Sequence, residues 1–494
     1  MPYKNNPEIK PENKPENTLP RSVRASGGDP NPRGVYKGGA SIKRPARPDL
    51  GTVSEPARTV PVFTETDVLV VGGGPAGVTA AVSAARLGAR VVLAERYNHL
   101  GGLSTGGLVI WIDRMSGWDG DPLIRGLGEE MLDRLPPEAI KGPQRSDWAS
   151  REEAAVAQWA PRHSAFHGVV TWAPMTDPEM LKLAALNMVT EAGVDLMLHS
   201  WVTAPLIEDG KAAGAILESK QGRMAVRAQI VIDTTGDGDM FAQAGEDFEG
   251  DVESDDIHHC ANTASLLGGI DVPRWMAFRK SDPDGFKAFM REGRAQTEHF
   301  ILPMAGWRDD TVVFMGPRFA GFNVLKVDDL TTLELMSRRS IVELHDYFRR
   351  NAPGFENAWI MLTAPQLGAR HSRRLAGRTI MTGESTKSGV ILPDEIGVSP
   401  SLSPNLPDVS APYGALLPVK TDNLLVAGRH ISTDPQTHTF MREIPQCWLT
   451  GHAAGAAAAL SVNAGVSPRD VNMGELQSAL SKQGAFIRKP ALSD

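Results

Sequence analysis

Two stretches of the chain concentrate the side chains best suited to move protons and to hold anions. "LGARHSRRLAGRTI" supplies Arg370, His371, Arg373 and Arg374, and "GRHISTDPQTHTFMREIPQC" supplies Arg429, His430, Asp434, His438, Arg442 and Glu443. An imidazole exchanges a proton near neutral pH, and a guanidinium forks two donors onto a carboxylate or another oxygen anion. His371, His438, Arg370 and Arg442 are therefore the candidate catalytic residues. Arg373 and Arg374 also fit ordinary ion pairs, and Asp434 fits either the orientation of a histidine or the capping of a turn within "TDP".

A third stretch points to phosphate. In "VLVVGGGPAGVTAA", Gly72, Gly74 and Gly77 stand in GxGxxG spacing after an apolar run, with Pro75 and Ala76 opening a small-residue helix. The first glycine permits a tight turn, the second lets backbone approach a pyrophosphate, and the third brings the helix close to its sheet. Unpaired amides at the helix start then face the negative charge. Glu95, followed by Arg96, ends the next apolar run, where an acid accepts hydrogen bonds from an adenosine ribose. "LGGLSTGG" follows, with Gly101 and Gly102 giving close backbone approach and Ser104 and Thr105 offering hydroxyls.

These residues require a scaffold, and the hydrophobic pattern supplies one. "TDVLVVGG" and "ARVVLAE" read as buried parallel strands around a helix from Pro75 to Leu87, a βαβ unit. Two Asp-Pro segments, "DPLIRGLGEEMLDRLP" and "DPEMLKLAALNMVTEAG", predict helices with an aspartate cap and a first-turn proline. The stretch from Val194 to Asp233 predicts an antiparallel meander turning near Glu208 to Gly210 and near Gln221 and Gly222. "LTTLELMSRRSIVELHDYFRRNA" predicts a long helix, and "DNLLVAGRHIS" with "GHAAGAAAALSVNAG" repeats the strand and small-residue helix, the helix starting at Gly451.

The fold expected is α/β: a Rossmann-like dinucleotide-binding domain with a β-meander and an inserted mixed α/β substrate domain. Its parts run 1–64 (extended or flexible N-terminal arm, free or laid on a partner subunit), 65–106 (cofactor domain, first part), 107–185 (inserted cap), 186–249 (meander and second part), 250–410 (substrate domain) and 411–494 (cofactor domain, C-terminal part).

Composition narrows the class. A formal charge of −8 over 494 residues, without a basic block beside stacking aromatics outside the N-terminal tail, argues against a nucleic-acid partner. Two cysteines build no disulfide framework, CxxC pair or iron–sulfur set, and indicate a reducing compartment. No apolar run reaches the ~20 residues of a membrane span, and the N-terminus lacks the apolar core of a secretory signal, so a cytoplasmic protein is expected. No metal is expected: the adjacent His258 and His259, with Cys260, lack a completing ligand pattern.

Taken together, "DVLVVGGGPAGVTAA", "LGGLSTGG", "VIDTTGDGDMFAQAG", "APYGALLPVKTDNLLVAGRHIS" and "GHAAGAAAAL" resemble the FAD-dependent oxidoreductases of glutathione-reductase-like topology, in the branch related to fumarate reductase flavoproteins and uncharacterised bacterial FAD oxidoreductases. The resemblance spans residues 66 to 470. It implies FAD as cofactor, with Gly72, Gly74 and Gly77 around the pyrophosphate, Glu95 on the ribose, Gly101 and Gly102 along the ribityl path, Val202 against adenine, Gly236 and Asp237 closing the domain, and Gly428 and Arg429 approaching the flavin. The small-residue helix near Gly451 would aim amides at the pyrimidine edge of the flavin. Where members of that branch carry Arg-Glu-Thr-Arg-Arg, this chain has Arg370, His371, Ser372, Arg373 and Arg374, so the substrate chemistry does not carry over with the cofactor. His99, just before the glycine pair, is a candidate for covalent attachment to the flavin, because some relatives attach a histidine to the flavin methyl group, although theirs is spaced farther from the glycine pair.

The activity expected is an FAD-dependent dehydrogenase that takes a hydride from a small polar or cyclic substrate to flavin N5, with an unidentified electron acceptor and a homo-oligomer as a further possibility. A flavin-dependent monooxygenase and a flavoprotein electron-transfer scaffold are the alternatives.

Overall fold

The computed structural model describes residues 35–36, 48–250 and 260–488. Most of the expected N-terminal arm, and His258 and His259, lie outside the described residues. Val35–Tyr36 pairs in parallel with Arg318–Phe319 of the same chain.

The chain enters the cofactor domain on β1 (Val62–Val71), whose last four residues are buried, as a strand covered on both faces requires. Helix α1 (Pro75–Arg86) and strand β2 (Val91–Ala94) complete the βαβ unit. Helix α2 (Pro178–Glu191) is capped by Asp177, whose carboxylate accepts from the Glu179 and Met180 amides, and leads into β3 (Asp195–Met197). The meander follows as β4 (Trp201–Glu208), β5 (Lys211–Ser219) and β6 (Gly222–Asp233), with turns where the sequence places them.

Beyond it, β7 (Ser265–Gly268), β8 (Thr311–Phe314), helix α3 (Val327–Asn351) and β9 (Trp359–Thr363) build the inserted domain. The chain returns on β10 (Leu424–Val426) and ends its core in α4 (Ile444–Ala464).

One seven-stranded sheet runs β3-β2-β1-β6-β5-β4, with β10 beside β6. The long β6 serves two partners. Its first half pairs antiparallel with β5, and its second half pairs parallel with both β1 and β10. That division places Asp233, the last residue of β6, beside Val71 and Val426, so three strand ends meet at one point of the sheet. Ligands of open α/β sheets bind outside such carboxyl ends.

Helices α1 and α4 cross at glycines. A Cβ on Gly451 would stand 2.1 Å from the Ala76 carbonyl oxygen, and one on Gly455 would stand 2.1 Å from that of Ala80. The run of small residues is a packing surface, which explains its composition.

Several expected boundaries shift. β1 begins at Val62, inside the expected arm. The segment "DPLIRGLGEEMLDRLP" forms a helix only over Leu127–Asp133, with Gly126 rather than an aspartate at its start. Helix α4 begins at Ile444, not Gly451, so Gly451 lies inside the helix against α1 and presents no terminal amide. Domain limits follow the cores rather than the loops. Ile112, Met115, Leu127 and Met131 of the expected cap, and Ile396, Val409 and Ala411 of the expected substrate domain, pack in the same core as α1 and α4. Within the segment expected as the substrate domain, one aromatic core spans residues 267–358, where Trp275, Phe289, Phe348 and Phe355 interlock, and smaller clusters lie around Leu266 and Val313 and around Phe319 and Leu333.

Candidate functional site

The turn after β1 is built for something to approach it. Gly72 has φ of +103°, and a Cβ there would be 2.6 Å from the Thr234 carbonyl oxygen; one on Gly77 would be 1.8 Å from the Gly72 oxygen. Gly74, the N-cap of α1, differs. It has extended backbone, no side-chain cap, and no protein atom within 4 Å of a Cβ position. The amides at the start of α1 are thus left to whatever occupies the adjacent space.

Glu95 closes one side. Its carboxylate accepts from the Gly73 amide at 2.5 Å and from the Tyr97 amide at 2.8 Å, which fixes it at the end of β2 with lone pairs remaining for further donors. Beside it the Arg96 guanidinium lies 5.0 Å from the Tyr97 ring and 5.5 Å from that of Trp201, the residue before Val202.

The opposite side is organised by Asp233. One carboxylate oxygen accepts from the Met240 and Phe241 amides at 3.0 and 3.1 Å. The other takes the Thr235 amide, the Thr235 hydroxyl and His430 Nε2. Burial opposes ionisation of Asp233, yet His430 and the Thr235 donors outweigh it and hold the carboxyl below its usual range. The same turn carries Gly236, at φ +77°, over which the Arg429 guanidinium lies, and Asp237, which accepts from Arg429 at 2.9 Å and from the Ser372 hydroxyl at 2.8 Å. Burial raises and Arg429 and Arg96 lower the Asp237 carboxyl, with a net shift downward. Asp239 goes the other way, raised first by burial and then by the charges of Asp237 and Asp233.

From the C-terminal segment, Gly428 at φ +101° brings its backbone to Ala76, and Arg442 pairs with Glu443 at 2.9 Å at the start of α4. That start has no side-chain cap. Cys447, one turn on, is buried, and burial pushes its thiol up to about 12, so it stays protonated.

These walls enclose a cavity of about 860 Å³, counting the space at its mouth. Gly72, Gly74, Pro75, Ala76, Glu95, Arg96, Gly102, Val202, Gly236, Gly428, Arg429 and Arg442 all line it. Twelve expected positions scattered over 371 residues of sequence therefore converge. Gly77, Gly101 and Asp237 stand one layer behind, shaping the turn. The Ser104 and Thr105 hydroxyls donate to the Gly101 and Leu100 carbonyls, so their protons close their own loop.

Arg370, His371 and His438 are not in the lining. His371 and His438 are buried with ring centroids 5.1 Å apart, edge to face. Burial, then the charges of Arg442, His371, Arg374 and Arg429, hold His438 well below its usual value and therefore neutral. Arg374 pairs with Glu249 and Arg373 with Asp239, the ion-pair reading of both. Asp434 caps the helix Pro435–Met441 through the Thr437 amide, the turn reading. His99 is buried, its Nδ1 2.9 Å from Asn98 Oδ1, outside the lining.

Sequence reasoning passed over Asp233, Gln366, Cys447 and the structural role of His430. Asp233 was legible as the acid ending a buried strand just as Glu95 ends another; Gln366 carries no local signal, since a loop from the inserted domain delivers it to the cavity.

A family model for FAD dependent oxidoreductases matches residues 67–401 and 404–480. The chain is 29% identical over 183 residues to a digeranylgeranylglycerophospholipid reductase of Methanoculleus marisnigri, covering 36% of this chain and 40% of that one. It is 31% identical over 185 residues to a thiamine thiazole synthase of Aeropyrum pernix, covering 34% and 54%. The chain thus spans about half the length of the curated relatives it matches. Among solved structures, a geranylgeranyl bacteriochlorophyll reductase-like protein from Thermoplasma acidophilum aligns over 85% of this chain and 83% of its own, at 16% identity and a TM-score of 0.39. Among the described residues no helix is long and apolar enough to cross a membrane.

Proposed function

The chain belongs to the FAD dependent oxidoreductase family, and from that premise we propose that it is a dehydrogenase of a small polar or cyclic organic substrate. The observation that carries the reading is the Gly74 turn: a cradle that the protein leaves open, at an uncapped helix start, on the wall of a cavity.

The residues present fit FAD. The amides of Gly74, Ala76 and Gly77 at the start of α1, with Gly72 shaping the turn and Pro75 opening the helix, would hold the pyrophosphate; Glu95 would take the ribose hydroxyls; Arg96 and Val202 would flank adenine. Gly102 would line the path toward the ring, with Gly101, Ser104 and Thr105 shaping that loop from behind, and Gly236, Gly428 and Arg429 would close its far side with Asp237 holding Arg429 in place. FAD supplies the two-electron acceptor when bound.

The protein's own part is binding, orientation and proton handling. His438 is the proposed base for a substrate hydroxyl or amine; it stands buried behind the cavity lining, where burial and the surrounding cations keep it neutral and weakly basic. His371, against it at 5.1 Å, orients it or passes the proton on. Arg370 and Arg442 are the groups for an oxygen anion on the substrate. The two buried free thiols, Cys260 and Cys447, suit a reducing compartment such as the cytoplasm. The electron acceptor and any homo-oligomer belong to the same reading as unassigned partners.

The test is reconstitution with FAD followed by anaerobic mixing with candidate alcohols, amines and acids. Bleaching of the oxidised flavin without oxygen supports a dehydrogenase. Substrate hydroxylation that requires oxygen and an external reductant overturns it in favour of a monooxygenase, and bleaching only by a reduced protein partner overturns it in favour of an electron-transfer scaffold.

A further inference from the structure

The inserted domain reaches the cavity through one side chain. Among the described residues, every lining position but one comes from segments that build the cofactor domain; the exception is Gln366, from the stretch that follows β9. Its backbone is held on both sides. The Gln366 amide donates to the Gly106 carbonyl at 3.1 Å and the Ala364 amide to the Ala264 carbonyl at 2.9 Å, while Gly368–Ala369 pairs with Ala261–Asn262. Gly106 is itself fixed, since a Cβ there would stand 2.0 Å from His99 Nε2. Gln366 is therefore a preset group and not a loop residue free to turn away.

The two ends of its side chain differ. The oxygen is buried. It lies on the side of His99: burial holds that imidazole below its usual value and the Gln366 amide opposes the shift, as the oxygen end of an amide does and its N–H end does not. The nitrogen end keeps solvent contact, and among the described residues nothing accepts from it. An amide that lines a cavity with its N–H group unspent is a neutral donor, and its complement is an acceptor oxygen on the ligand. The phosphate and ribose positions are served by the start of α1 and by Glu95. Gln366 instead hangs on the loop that carries Gly102 and Leu103, in the same stretch of chain as Arg370 and His371.

We propose that Gln366 is the residue with which the inserted domain reads the substrate, and that the substrate is an alcohol whose oxygen accepts from its amide. The proposal rests on the dehydrogenase reading above and narrows it. Oxidation of an alcohol breaks the carbinol C–H bond, whose hydrogen and electron pair pass to FAD as a hydride; the O–H proton goes to the base, and the C–O bond becomes C=O. The oxygen is an acceptor before and after, and an N–H donor on it holds the reacting carbon in one orientation. An amine fits in the opposite sense. Its charged form carries donors alone, and its oxidised form, an iminium, has no lone pair, so both meet the Gln366 donor with nothing to accept. A carboxylate is matched better by a guanidinium than by a neutral amide.

The test uses FAD-loaded wild type, Gln366→Leu and Gln366→Glu, the last keeping the shape but carrying acceptors alone at neutral pH. Gln366→Asn, which keeps the donor on a shorter stem, stands in should either fold poorly. Three probes share one ring: cyclohexanone, cyclohexylamine and cyclohexanecarboxylate, each titrated by the change in flavin absorbance. In the wild type the ketone is expected to bind more tightly than the amine. Ketone binding should weaken about tenfold in Gln366→Leu and Gln366→Glu and by an intermediate factor in Gln366→Asn. Carboxylate binding in Gln366→Leu and FAD affinity in every variant should stay within about twofold of wild type. Equal ketone affinity in wild type and variants overturns the proposal, as does a wild type that binds the amine or the carboxylate but not the ketone, or none of the three. Variants that lose FAD and ketone in parallel also overturn it, because Gln366 then holds the cofactor. Failure of the wild type to take up FAD, or bleaching by none of the alcohols, amines and acids of the anaerobic screen, removes the underlying reading and is seen without any variant.

Discussion

The Asp233 carboxylate and the His430 imidazole meet at 3.2 Å with neither side chain reached by solvent. Asp233 also anchors the amides of Met240 and Phe241 and the hydroxyl of Thr235, and the Thr235 hydroxyl in turn accepts from Gly238 and Asp239. One carboxylate therefore fixes the whole turn from 234 to 239, which forms a cavity wall. Asp233→Asn leaves buried donors unpaired and is expected to cost about 3–5 kcal/mol, read as a lower urea midpoint. Because the folded carboxyl is held below its unfolded value, its contribution is complete above pH ~4 and is lost as pH falls through the depressed folded value. Denaturation of wild type and variant at pH 7 and at progressively lower pH should show their difference shrinking only on the acid side.

Two glycines three residues apart separate ligand binding from folding. At Gly77 an added Cβ meets the Gly72 oxygen at 1.8 Å, so Gly77→Ala must displace backbone and is expected to destabilise the protein without FAD by about 1–3 kcal/mol. At Gly74 the backbone is extended and nothing lies within 4 Å, so Gly74→Ala should leave the FAD-free protein within about 0.5 kcal/mol of wild type. Its methyl group would occupy the phosphate space, and FAD affinity should fall at least tenfold. Thermal melts with and without FAD separate the two effects, and equal apo destabilisation by both variants would show that Gly74 is an ordinary turn residue.

Glu95 holds two backbone amides with two carboxylate oxygens. Glu95→Gln keeps the shape but turns one acceptor into a donor facing an amide. Charge-assisted bonds of this kind contribute about 1.5–3 kcal/mol, so FAD binding should weaken by one to two orders of magnitude. Fluorescence titration with FAD measures it, and Glu95→Asp, with a shorter reach, should not restore binding.

The cofactor half of this site was legible because its constraints are local. A GxGxxG turn needs glycine for backbone reasons, and Glu95 is fixed by the end of a period-2 strand; Gly72, Gly74, Gly77 and Glu95 all lie within one βαβ unit. The start of α4 was misplaced because its glycines and alanines read as a helix opening, whereas Gly451 and Gly455 are small to let α1 approach. The polarity of Glu443 to Cys447 gives no helix periodicity that marks the true N-terminus. The limits of the inserted segments were misread for a different reason: Ile124 and Val409 look like parts of separate insertions in sequence, yet both close the core under α4. Only the three-dimensional contact says which domain they stabilise.

His452 gives α4 an acid sensitivity of its own. It is 3% exposed, and burial pushes its imidazole down to about 4. A histidine kept neutral in the fold but titrating at 6.5 when unfolded contributes stability that is complete above the unfolded value and is lost as pH falls toward the folded one. Across pH 6.5 to 4 the loss amounts to about 3 kcal/mol, since one pKa unit corresponds to ~1.4 kcal/mol. His452→Leu removes the titration while keeping an apolar group of similar size beside Leu123, Leu449 and Phe486. The variant's stability should therefore decline less steeply than that of wild type between pH 6.5 and 4, and the two curves should run parallel above pH 7. Curves that stay parallel throughout would mean that water reaches the ring in the folded state. In that case the packing of α4 against Gly126, whose Cβ position lies 2.9 Å from His452 Cε1, is looser than its contacts indicate.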